Sequence, residues 1–223
     1  MSITRYGYRN AISGFFEFPT ENAKRLLPPH LEPLEPHHGT SIFSLTAFDF
    51  TESMVGPYGE VVASVIVAPL IRGGERFPKS AFYPYQVGTT TQAAREHAIE
   101  RWHLPHWMED LEVAFSQGGG EITVKVAEGG SPIAEMTIAE HVASPVSHLY
   151  QCFMHNGNGS YMANITMEGQ QSEHEDERGR LTLFEHPFHQ GLVIEDVADL
   201  PFRELWMRDG QQLFDPLLRL GSA

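Results

Sequence analysis

Tyr58-Gly-Glu-Val-Val-Ala-Ser-Val-Ile-Val-Ala-Pro-Leu70 decides the fold class. Its Val61, Val62, Val65, Ile66 and Val67 suit a pleated surface, so the stretch predicts a long strand. Ser64 and Pro69 interrupt the apolar run, which is too short to span a bilayer. Gly73-Gly74 then supplies a turn into another strand over Phe77 to Val87. Upstream, Ser41 to Phe50 is rich in Ile, Phe, Leu and Thr and predicts a further strand. Together they read as a meander.

Thr89 to Trp102 changes period. Thr89, Thr90 and Thr91 offer caps, and Ala93, Ala94, His97, Ala98, Arg101 and Trp102 follow helical spacing. Pro105 ends that helix by removing a donor and restricting Leu104. A shorter helix opens with Thr20 as its candidate cap and stops at Pro28-Pro29. Hairpin-linked strands follow over Glu112–Ser116, Glu121–Ala127 and Ile133–His141, with turns at Gly118-Gly119-Gly120 and Gly129-Gly130. Further strands are predicted at His148–Met154, Tyr161–Met167, Arg180–Phe184 and Leu192–Asp196. The polar run Gln170 to Arg178 reads as a solvated turn, and Leu205 to Leu220 as a short helix or irregular segment. No linker or repeat divides the chain. Residues 1–223 therefore read as a single, mainly β (α+β) domain with a few flanking helices. An antiparallel barrel would protect the many strand edges and leave a mouth for a small ligand.

Composition narrows the function. Hydrophobic residues are 41% of 223, with 14 Phe, enough for a sizeable core. Lys+Arg is 15 against Asp+Glu 29, a net charge of -14 that repels phosphate backbones and anionic membranes. No nucleic-acid or membrane partner is expected. The N-terminus lacks the apolar run of a signal peptide, so a soluble cytoplasmic protein is expected. Cys152 is the lone cysteine; it forms no internal disulfide and reads as a buried, inert thiol.

Twelve histidines raise the question of a metal. The His103/His106 pair encloses Pro105, the His186/His189 pair encloses Pro187, and no His-Glu-x-x-His signature occurs. No metal is expected. No phosphate-binding glycine loop or nucleophile elbow is present, and no cofactor is expected. Arg101-Trp-His-Leu-Pro-His-Trp107 is more informative, because a helix ends at a proline with His106 just beyond. His106 either projects into a cavity, where a near-neutral imidazole suits proton transfer, or merely packs and bonds a backbone carbonyl.

Five segments in order resemble the acetoacetate decarboxylase superfamily: Leu26-Leu-Pro-Pro-His-Leu-Glu-Pro33, Pro57-Tyr-Gly-Glu-Val-Val62, Phe82-Tyr-Pro-Tyr-Gln-Val87, Arg180-Leu-Thr-Leu-Phe-Glu-His186 and Asp199-Leu-Pro-Phe-Arg-Glu204. The likeness runs from Arg9 to Phe214. It implies an antiparallel β-barrel or cone around a buried apolar cavity, and a homo-oligomer. Family decarboxylases use a lysine amine, activated by an apolar pocket and a neighbouring cation, to form a Schiff base. Here His106-Trp107 stands at that place, and Ile99 stands where the motif's arginine would be. The only lysines are Lys24, Lys79 and Lys125, and Lys79 reads as a solvated strand-end residue. Glu60 matches the family's pocket carboxylate, Arg9 its pocket arginine, and Ser44 replaces its second glutamate. Trp107, Ser44, Tyr58, Trp102 and Tyr85 are the expected substrate contacts.

Two functions fit. One is an enzyme acting on a small organic acid or carbonyl compound by imine-free acid/base chemistry of the lyase or isomerase/cyclase type. Arg9 would orient an oxygen, and Glu60 and His106 would exchange protons with the substrate. The other is a non-catalytic protein that binds a small molecule in the same cavity.

Overall fold

The meander forms as the sequence predicts. In the computed structural model, which describes residues 2–157 and 159–220, β2 (Thr40–Glu52), β3 (Tyr58–Val67) and β4 (Ser80–Thr89) pair antiparallel in that order. β1 (Thr4–Pro19) lies on the far side of β2, and β11 (Arg203–Phe214) on the far side of β1. β8 (Ser144–Asn156) joins β4 to β9 (Gly159–His174), and β9 pairs with β11. The circuit closes as a seven-strand barrel. Closure removes the exposed edges that a long open sheet would carry.

The barrel is mostly antiparallel, with one parallel seam. β4 and β8 run parallel, over Ser80↔Tyr150 to Phe82↔Cys152. Past Phe82 the two strands part, and the segment after α2 (Gln92–Trp102) fills the wall instead. There Val87 N–H donates to Pro105 O at 3.1 Å, and Trp107 N–H donates to Val87 O at 2.7 Å.

A second sheet packs outside the barrel. It runs β10 (Arg180–Leu183), β7 (Ser131–Ala139), β6 (Glu121–Glu128) and β5 (Glu112–Gly118), all antiparallel. Its Ile122, Val124, Val126, Ile133, Met136 and Ile138 share one core with Ile12, Phe16, Phe43, Val61, Val65 and Trp206 of the barrel. The stretches of barrel strand beneath this sheet are thus buried on both faces, one toward this core and one toward the lumen. Gly14 allows the close approach, because a Cβ there would lie 2.5 Å from the Phe16 ring and 3.0 Å from Met136 Sδ.

Several expectations are corrected. The short helix α1 (Thr20–Leu26) is preceded by Pro19 as its cap residue, and Thr20 Oγ1 instead bonds Ser41 Oγ at 2.9 Å. Gln170 to His174 is not a solvated turn but the end of β9, with Gln171, Ser172 and His174 buried. Ile194–Asp196 is a single 3-10 turn rather than a strand. The predicted closing helix or irregular segment is β11, one of the barrel's own staves, followed by β12 (Leu218–Leu220) on β9. Among the described residues no helix is long and apolar enough to cross a membrane.

Candidate active site

Alternation along β3 turns Tyr58, Glu60, Val62, Ser64 and Ile66 to the lumen, while Val61, Ala63, Val65 and Val67 face the outer core. The lumen holds a cavity of about 100 Å³. Phe15, Phe48, Val62, Phe82, Met167 and Phe214 supply much of its apolar wall. Ser13 and Thr46 also line it, but their hydroxyls bond each other at 2.9 Å.

Glu60 is the cavity's distinctive group. Its carboxyl has no hydrogen-bond or ion-pair partner among the described residues. Burial in this apolar lining disfavours the charged form and pushes its pKa up to about 8. Such a carboxyl is neutral at pH 7 and gains or loses its proton close to working pH, which suits proton exchange with a ligand. Cys152 lines the same cavity; burial, then Glu60, pushes its thiol up to about 12, so it stays a thiol as expected.

A small annex opens beside Glu60, lined by Tyr6, Tyr58, His97, Trp102 and Phe214 among others. Trp102 Nε1–H donates to Tyr6 Oη at 2.7 Å, and Tyr6 Oη lies 2.6 Å from His97 Nε2. Desolvation, then Arg101, lowers the His97 pKa and keeps that ring neutral. Burial holds the Tyr6 and Tyr58 hydroxyls far above the usual phenol range.

The structure brings three expected residues together: Glu60, Tyr58 and Trp102. The others lie elsewhere. Arg9 faces outward and pairs with Asp49 at 3.6 Å, its side chain 68% exposed. A β-bulge at Tyr8 to Asn10 sets this outward direction. His106 is absent from the cavity lining. The helix ends on His103 in a left-handed conformation (φ 57), and this turn sends Leu104 into the cavity while His106 joins the wall beside Val87. His106 Nδ1 lies 2.6 Å from Trp107 O, so the carbonyl-bonding alternative is the one seen, and Nε2 is buried with no hydrogen-bond partner among the described residues. Trp107 packs in the outer core and donates to Glu128 Oε2 at 2.6 Å. Tyr85 joins the same outer core, its ring centroid 6.4 Å from that of Phe43. Ser44 is fully buried on the inward face of β2 but outside the cavity lining. Sequence reasoning passed over Tyr6, His97, Tyr150 and Gln212, which come from four different elements.

The three lysines stand away from the cavity. Lys24 pairs with Glu21, Lys125 with Glu135, and Lys79 with Glu173. Lys79 is held in that half-buried pair rather than freely solvated. No arginine or lysine is among the residues lining the cavity or its annex. Among the described residues no three His, Cys, Asp or Glu side chains are grouped to hold a metal ion.

Arg9 gives a simple test of this geometry. Arg9→Ala should change folding stability by less than about 1 kcal/mol, because exposed ion pairs contribute little. It should leave small-molecule binding in the barrel unchanged by calorimetry; a tenfold loss of affinity would put the guanidinium in the site.

No protein-family model matches the chain, and no curated protein matches it in sequence. Solved structures do match in shape. An acetoacetate decarboxylase superposes with TM-score 0.64 at 13% identity, covering 99% of this chain and 89% of that chain. The acetoacetate decarboxylase of Legionella pneumophila gives TM-score 0.61 at 16% identity, covering 97% and 87%. The enduracididine biosynthesis enzyme MppR, complexed with pyruvate, gives 0.61 at 11% identity, covering 97% and 90%. These likenesses run nearly end to end in both partners and are likenesses of fold: the chain has the acetoacetate decarboxylase-like β-barrel fold.

Proposed function

We propose that this protein is an enzyme that moves a proton at the carbon next to the carbonyl of a small, uncharged carbonyl compound, without forming an imine. The observation that carries the reading is Glu60, a half-buried carboxyl in an apolar lining, with no hydrogen-bond or ion-pair partner among the described residues; its surroundings push its pKa up to about 8. As carboxylate it takes the α-proton; as carboxylic acid it returns one. Enolisation, and elimination from a β-hydroxy carbonyl compound, both need that one step.

The lining narrows the substrate. A carboxylate ligand would meet no lysine or arginine there, and it would repel Glu60 once ionised. An uncharged carbonyl compound therefore fits better than an organic acid. The three lysines are engaged with glutamates outside the cavity, which supports imine-free chemistry. Passive binding is the weaker reading, because a buried carboxyl without a partner costs stability that a mere container has no need to spend.

The test is α-deuteration of 2-butanone in D2O, followed by NMR. The expected result is enzyme-dependent exchange that rises with pH to a plateau, half-maximal near pH 8. Exchange no faster than in buffer sinks the proposal.

A further inference from the structure

We propose that the lumen is a channel for a straight-chain aliphatic ketone of roughly eight to ten carbons, with its carbonyl at Glu60 and its alkyl tail running toward Tyr150. This rests on the reading above and names the substrate class of the same site.

The cavity is long. Glu60, Val62 and Ser64 line it from alternate positions of β3, a run of about 13 Å at roughly 3.3 Å per residue. Beyond the level of Ser64, which pairs with Pro84, the lining continues to Phe82 on β4 and to Cys152 and Tyr150 on β8. Electrostatics follow the same order. Glu60 acts on the Cys152 thiol, whereas the charged neighbours of Tyr150 are Glu173 and Arg203. Glu60 and Tyr150 therefore stand toward opposite ends of the lumen. With C–C bonds of about 1.5 Å, an extended alkyl chain of roughly ten carbons covers about 13 Å. A volume of about 100 Å³ drawn out over that length is narrow, which suits one unbranched chain.

The two ends differ in polarity. Glu60 and Gln212 line both the cavity and its annex, where Tyr6, Tyr58 and His97 add further polar groups. The far end is walled by rings: Phe15 and Phe82 lie 6.3 Å apart between centroids, and Phe82 and Tyr150 5.9 Å apart. Between the ends, the Ser13 and Thr46 hydroxyls are engaged with each other at 2.9 Å, and the Cys152 thiol stays uncharged. A carbonyl head at Glu60 and a hydrocarbon tail beyond it match this gradient, because the tail leaves water without stripping polar groups of partners.

The test measures α-deuteration and calorimetric binding for a ketone series with the full chain. From 2-butanone to 2-nonanone, KM should fall about threefold per added methylene, as burial of CH2 groups predicts. kcat should stay nearly level, since the tail is bound equally in ground and transition states. The gain should stop at about eleven carbons, where the channel is full. 5-Nonanone has the same atoms as 2-nonanone but carries its carbonyl mid-chain. Its kcat/KM should be at least about tenfold lower, because a carbonyl at Glu60 then leaves two tails for one channel. Cys152→Leu fills part of the far half and should shorten the preferred chain by about two carbons; Phe82→Leu opens it and should lengthen the preferred chain by a similar amount.

A KM that does not fall along the series, or equal kcat/KM for the two nonanones, overturns the channel and leaves the role of Glu60 standing. Folded variants that both keep the parent's preferred chain length put the tail elsewhere and overturn it too. Binding that tightens with chain length, without deuteration of any ketone, sinks the enzymatic reading and keeps the channel. Neither binding nor exchange across the series overturns both.

Discussion

Glu60→Gln should abolish α-deuteration and, at the same time, stabilise the protein above neutral pH. Loss of the only carboxyl in the cavity removes both base and acid, so the rate should fall at least 100-fold. The stability effect follows from linkage. The Glu60 carboxyl is raised from 4.5 to about 8 by burial, so between those values the folded protein holds a proton that the unfolded chain releases. Stability from this group is therefore full below about pH 4.5 and is lost as pH rises to about 8. The whole loss is on the order of 5 kcal/mol from the size of that shift. Glutamine fills nearly the same volume and never ionises. Above pH 8 the variant should melt about 10 °C higher than the parent, and near pH 5 the two should melt together. Parallel melting curves across this pH range would mean that Glu60 is solvated or paired, and the proposed function would lose its basis.

The parts of the fold that sequence could reveal are those with one dominant face or a strong local signal. The meander showed through β-branched runs, and α2 through its threonine cap: Thr91 Oγ1 accepts from Ala94 N at 3.3 Å. β1 was invisible for a physical reason. Tyr6, Tyr8, Ala11 and Phe15 join the core on the lumen side, while Ile12, Phe16 and Phe18 join the outer core, so polar and apolar residues do not alternate along it. β11 hid in the same way, with Leu205 and Met207 on one side and Trp206 on the other. Tyr58 and Glu60 were expected in the candidate site from the family resemblance, and β3 turns both to the lumen. The expectation failed at His106 because a single left-handed residue, His103, decides whether Leu104 or His106 enters the lumen. No periodicity announces that turn. Tyr6 and His97 meet at the annex, and Tyr150 reaches the lumen, only because the barrel closes, and closure is set by pairings far apart in sequence.

Glu204 is expected to matter as much for stability as Glu60 does for chemistry. It is a fully buried carboxylate lying outside the lumen, on β11. Its Oε1 accepts from Arg178 N at 2.7 Å and Gly179 N at 2.8 Å, and its Oε2 accepts from Ala139 N at 2.8 Å. One side chain thus ties the end of β7 and the loop before β10 to the barrel. His174 Nε2 lies 3.0 Å from Ala139 O and 3.8 Å from Glu204 Oε2, closing the same corner. Gly179 has to be glycine there, since a Cβ would sit 2.4 Å from Thr137 O and 2.5 Å from Glu204 Oε2. Glu204→Ala strands three backbone donors and opens a void, so it should cost about 4 kcal/mol in denaturant unfolding. That is a large share of a typical domain's stability of roughly 5–15 kcal/mol. Glu204→Gln keeps the volume but turns an amide donor toward at least one backbone donor, so it should cost about half as much. Amide exchange at Ala139, Arg178 and Gly179 should accelerate in both variants ahead of the barrel strands. Deuteration per folded molecule should stay at the parent's rate, because no atom of Glu204 lines the cavity. A stability loss under about 1 kcal/mol for Glu204→Ala would mean that the second sheet holds to the barrel through its apolar face alone.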